Sequence, residues 1–142
     1  MAKKTTAISQ VRFPFQYAVK FLCTANIPGT SQTSSSVVPG AYQTAINIHN
    51  PNRKPVRFRK KIAVPGIEPS KFIDDELKPD YATKVDCSQI RDFGIPFIHG
   101  AEGFLVIEST LSLDVTAVYT AAPNGGQVSS IDVEQIRERI LR

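Results

Sequence analysis

Six basic residues, Arg53, Lys54, Arg57, Arg59, Lys60 and Lys61, fall within nine positions, the densest set of chemistry-bearing side chains in the sequence. Strand alternation gathers Arg57, Arg59 and Lys61 into one row, suited to hold phosphates or an acidic partner by charge-assisted hydrogen bonds. An anion-binding or nucleic-acid-binding role for Arg53, Lys54, Arg57, Arg59 and Lys61 is therefore one expectation. The alternative is that these charges solubilise an outer sheet face or guard a sheet edge against pairing. Base stacking needs aromatics interleaved with the charges, and only Phe58 interleaves, facing the other way.

A second set is polar and aromatic. Tyr42 and Asn47, with His49 and Asn50 nearby, have the chemistry of a sugar site, where a ring stacks on the pyranose and amides bond its hydroxyls; Asn50-Pro51-Asn52 is equally explained by turn preference. His49 and His99 lack the neighbours that a hydrolytic or metal site needs, so turn or surface positions are expected for both. Asp74, Asp75 and Glu76 sit among Lys71, Lys78 and Lys84, which reads as a solvated mixed surface rather than as paired catalytic carboxylates. Gly94, Gly100 and Gly103 do not have the spacing of a phosphate-cradling loop. No catalytic constellation, cofactor or metal site is expected. Cys23 and Cys87 fall on strands outside any CxxC pattern and are expected as buried thiols, with a disulfide as the alternative.

The elements that position these residues are strands. Residues 103–122 are the most apolar stretch, read as a central hairpin of two strands with its turn near Ser109 to Ser112 and with Leu113, Val115, Ala117 and Tyr119 on one face. Phe15, Tyr17, Val19, Phe21 and Cys23 alternate, as do Tyr42, Thr44, Ile46 and Ile48. In the basic strand Val56, Phe58, Ile62 and Val64 point inward and Lys60 breaks the series, so a bulge or edge position is expected there. Residues 70–79 read as irregular or as one helical turn. Residues 81–87 form a strand, and residues 88–93 a short helical turn capped by Asp86 or Ser88. The Ser/Thr/Pro/Gly stretch 26–40 reads as a loop.

These elements make an all-β protein: a single antiparallel β-sandwich of about seven strands over residues 15–128, with an N-terminal arm (1–14) and a C-terminal arm (129–142), the latter a short strand followed by a helical or extended segment. At 142 residues and a net charge of +4 the chain forms one domain with no bilayer-spanning run. The N-terminus opens with a basic pair and never develops a secretory apolar stretch, so a cytoplasmic location is expected.

The order of these segments, AINIHNPNRKPVRFRKKIAV, then VDC, then GFLVIESTLSLDVTAVYT and a tail SIDVEQI, resembles an uncharacterised family of small bacterial proteins. More distantly it is similar to the sensory rhodopsin transducer family, which are small cytoplasmic β-sandwich proteins that form homo-oligomers and are not enzymes. The resemblance implies a sandwich, no catalysis and a tendency to oligomerise. Polar arms flanking a patterned core, the lack of a catalytic constellation and sheet edges that need cover add the expectation of a homo-oligomer, a ring or a filament, built through the arms and edges with a structural or adaptor role.

Overall fold

The computed structural model describes residues 10–26, 40–95, 100–123 and 127–142. The N-terminal arm up to residue 9, the loop 27–39, His99 and the turn 124–126 lie outside the described residues. Nine strands appear in chain order: β1 (Phe15–Asn26), β2 (Gly40–His49), β3 (Val56–Ala63), β4 (Ile73–Leu77), β5 (Ala82–Asp86), β6 (Gly100–Ser109), β7 (Asp114–Ala122), β8 (Ser130–Gln135) and the two-residue β9 (Arg139–Ile140). One 3-10 helix, Cys87–Phe93, follows β5. Asp86 caps it as expected, accepting the Ser88 N–H at 3.0 Å while Gln89 Oε1 accepts the Asp86 N–H at 2.9 Å.

All pairings are antiparallel and make two packed sheets. A five-stranded sheet runs β4-β3-β6-β1-β9, and a four-stranded one runs β5-β2-β7-β8. They join at one corner, where the end of β1 crosses to pair Thr24, Ala25 and Asn26 with Tyr42, Ala41 and Gly40 of β2. The core fills the space between them. Tyr17, Val19, Phe21, Phe58, Ile62, Leu105 and Ile107 face inward from one sheet, and Ile46, Ile48, Val85, Val115 and Ala117 from the other. Fully burying such side chains contributes roughly 1.5–3 kcal/mol each, which explains why the inward positions are so uniformly apolar.

Residues 103–122 hold two strands, but not a hairpin: β6 lies between β1 and β3, while β7 lies between β2 and β8 in the other sheet. The link 110–113 is an arch across the core. Alternation assigns each residue a face but is blind to which strand lies alongside. Residues 70–79 contain β4, hidden in the sequence because an exposed edge strand with three consecutive acids has no apolar alternation. The pairing of β3 continues without a bulge through Lys60, which keeps an inward position opposite Ile107. Its side chain, 13% exposed, reaches Asp75 at 3.6 Å near the sheet edge. The C-terminal segment lies on the body: β8 extends one sheet, the chain crosses over, and β9 caps the other.

Polar groups stitch the sheets along the side of β1 away from β6, between the stretches paired with β9 and β2. Thr44 Oγ1 accepts the Leu22 N–H at 2.9 Å and donates back to the Leu22 carbonyl at 3.1 Å; the Tyr119 hydroxyl donates to the Lys20 carbonyl at 2.7 Å. At the same corner Cys23 and Cys87 form a disulfide, in place of the two buried thiols expected from the sequence. The corner geometry brings their Cα atoms to 5.5 Å, within bridging range, although 64 residues separate them along the chain.

Gly103 marks a close approach between β6 and the end of β3. A Cβ there would stand 2.4 Å from the Ala63 carbonyl oxygen, which is backbone and has little room to yield. Gly103→Ala is expected to lower unfolding free energy by about 2 kcal/mol, read from the urea midpoint, as overpacking in a core does.

Candidate functional site

The basic row forms as expected on the outer face of β3, but its central member is occupied within the fold. Arg59 donates through Nε and Nη2 to Glu108 Oε1 at 3.1 and 2.8 Å, and its guanidinium lies between the rings of Phe13 and Phe72, 4.4 and 4.1 Å from their centroids. Glu108 is buried and also accepts from Gln16 Nε2 at 2.9 Å. Lys61 rests over the Phe72 ring at 4.7 Å. Arg53, Lys54 and Arg57 remain exposed, the first two in the turn after β2.

Register extends this contact into a row across the whole five-stranded sheet. Asp74 of β4 lies opposite Arg59, Arg59 opposite Glu108, Glu108 opposite Gln16, and Gln16 opposite Arg139 of β9. Arg139 donates to Gln16 Oε1 through Nε and Nη2 at 3.1 and 2.7 Å. The row therefore begins with an acid on one edge and ends with a base on the other. Arg139 was not singled out from the sequence; the alternation of Arg137 and Arg139 in the tail is the pattern that marks an extended segment with its arginines on one side.

The polar-aromatic set does not assemble. An unbroken register from Ala41 to His49 puts Tyr42 and Asn47 on opposite faces of β2, so one ligand cannot meet both. Asn50 is fully buried and bonded: its side chain donates to the carbonyls of Lys54 (2.8 Å) and Leu77 (3.1 Å) and accepts from Asn52, which shapes the turn.

His49 is part of a cluster that sequence spacing does not show. Its Nδ1 is 2.8 Å from Asp114 Oδ2 and its Nε2 is 2.9 Å from Asp80 Oδ1, joining β2, β7 and the β4–β5 turn, where Asp80 has a positive φ of 64°. Neutral imidazole has one N–H, so only the imidazolium satisfies both carboxylates. Hydrogen bonds to Asp114 and then Asp80 accordingly raise the His49 pKa above 6.5. With the folded pKa above the unfolded one, the stabilisation is complete below about pH 6.5 and is lost as pH rises through the higher folded value. Thermal melts of wild type and His49→Gln are expected to differ in mildly acidic buffer and to converge in alkaline buffer; a constant difference would contradict this. The cluster offers no nucleophile, and no group of three ligating side chains among the described residues is disposed to hold a metal.

The buried tyrosines are structural as well. Tyr17 accepts the Leu113 N–H at 2.7 Å and donates to Glu138 Oε1 at 2.7 Å; burial pushes its pKa up to about 12. Tyr119 is pushed up to about 12 by burial, then by the nearby Glu134 and Asp132.

Open edges are the most distinctive surface. Every residue of β8 is exposed, with Ile131 and Val133 at 64% and 65%, and β4 exposes Asp74, Asp75 and Glu76. Beside β9 a cleft of about 720 Å³ is lined by Ala18, Ile136, Arg137, Arg139, Ile140 and Arg142, among others. No helix among the described residues is long and apolar enough to cross a membrane.

No protein-family model matches the chain, and no curated relative matches it. Among solved structures it is similar to the crystal structure of Thermotoga maritima 1070, at 10% identity over 89% of this chain and 95% of that one, with a TM-score of 0.60. It is less similar to the Anabaena sensory rhodopsin transducer, at 16% identity over 75% of this chain and 95% of that one, with a TM-score of 0.47. The first likeness is one of fold alone and the second is too distant to carry an argument, so what these comparisons establish is a small β-fold.

Proposed function

We propose that the protein acts by binding rather than by catalysis, assembling with copies of itself through its open strand edges as a structural or adaptor module. The observation that carries this reading is the exposure of β4, β8 and β9, each paired on one side only, so that backbone donors and acceptors stand ready for another strand. The perturbed groups support it too, since each is spent on holding the fold. Light scattering on the full-length chain tests it: masses at multiples of 15.6 kDa that grow with concentration are expected, and a constant 15.6 kDa would end the reading.

Anion binding is the second reading, and the exposed Arg53, Lys54 and Arg57 favour it. Arg53→Ala/Arg57→Ala, which spares Arg59, is expected to weaken retention on a phosphate-bearing resin at low salt. Unchanged retention would remove this role.

The cysteines bear on location. A Cys23–Cys87 disulfide fits an oxidising compartment better than the reducing cytoplasm. Alkylation of unreduced protein followed by mass measurement decides it: two labels restore the cytoplasmic reading.

A further inference from the structure

Resting on the self-assembly reading, we infer that copies join head to tail, with β4 of one copy pairing against β9 of the next, so that the five-stranded sheet continues from molecule to molecule. The acidic edge strand and the arginine-bearing edge strand lie at opposite ends of this one sheet. Successive antiparallel pairings make β4 and β9 run in the same direction, so a copy rotated about an axis along the strands presents β4 to β9 as a parallel neighbour.

Charge selects this pairing over the two like-edge contacts that the same sheet allows. A β4–β4 contact would oppose Asp74, Asp75 and Glu76 with themselves, and a β9–β9 contact would oppose arginines; like charges across strands repel. Of the contacts possible between the two edges of this sheet, only the unlike one is complementary. It also completes the row on the outer face: Asp74–Arg59–Glu108–Gln16–Arg139 would be followed by Asp74 of the next copy. Among the described residues no strand lies past Asp74 or Arg139 to supply a cross-strand partner, though Glu134 and Glu138 line the cleft beside β9. None of the ion pairs among the described residues engages Asp74, Arg137, Arg139 or Arg142. Glu138, which shares the cleft, is held by Tyr17 and Ser112. A head-to-tail contact of this kind closes into a ring if the rotation permits and otherwise grows as a filament.

Sedimentation of full-length charge variants tests the inference. Asp74→Lys and Arg139→Glu alone should each weaken self-association by about tenfold or more. In an equimolar mixture every contact between unlike variants is complementary, with the original charges at one edge and the exchanged charges at the other, so alternating copies should regain the larger assembly. The double variant, with the charges exchanged, should regain the larger assembly. Thermal melts of each variant establish that it is folded, and recovery of assembly in the mixture cannot arise from unfolding. If wild type assembles and both single variants assemble equally well, the contact lies elsewhere and this inference is overturned while the self-assembly reading stands. If wild type is monomeric at every concentration, both fall.

Discussion

Cys23→Ser/Cys87→Ser is expected to lower the unfolding free energy by about 4 kcal/mol, the loop-closure entropy that a bridge spanning 64 residues removes from the unfolded chain. For a domain whose total stability is on the order of 5–15 kcal/mol, that is a large share, equivalent to roughly 10–15 °C in the melting temperature. The bridge also acts where backbone pairing is thinnest. Beside it, Leu22 of β1 depends on the Thr44 side chain, and the Thr44 N–H lies 3.4 Å from Cys87 Sγ. Loosening this corner frees the start of the 3-10 helix together with the end of β1. Wild type in reductant should melt as the double variant does. Identical melting of wild type with and without reductant would show that the bridge does not stabilise the fold.

The second large effect is expected at Arg59. Removing it leaves Glu108, 8% exposed at its side chain, with the Gln16 amide as its one side-chain partner among the described residues, and it empties the slot between Phe13 and Phe72. Breaking a buried pair from one side costs about 3–5 kcal/mol; because Arg59 itself is 35% exposed, solvent screening reduces this to about 3 kcal/mol for Arg59→Ala. Arg59→Lys should fall between, since an ammonium lacks the planar fork that meets one carboxylate oxygen with two N–H groups and stacks between rings. Arg57→Ala, one strand pleat away on the same face, is expected to cost under about 0.5 kcal/mol because its guanidinium is exposed. Equal losses at Arg57 and Arg59 in urea unfolding would contradict the distinction.

This contrast shows what the sequence can and cannot tell. The alternation of Val56, Arg57, Phe58 and Arg59 is legible, and so is the row it creates. The use of that row is not, because Glu108, Phe13 and Phe72 arrive from other parts of the chain. The same holds for His49, whose partners come from residues 80 and 114. Strands with one buried face, β1, β2 and β7, announce themselves by their period of two. β4 does not, since it buries little beyond Leu77. The tail is a further case. Val133, Ile136 and Ile140 have helical spacing, yet β7 supplies a ladder and the segment pairs as strand; tertiary pairing outweighs a short local pattern. The paired cysteines reflect both limits. Their separation says nothing of the corner that joins them, and the N-terminal residues pointed to a reducing compartment.

Assembly of the protein through its open edges is decided by sedimentation velocity of the unmodified full-length chain across a wide dilution series. Species larger than 15.6 kDa that dissociate on dilution, and more readily at high salt, are expected. A single species of 15.6 kDa at every concentration and salt would contradict it.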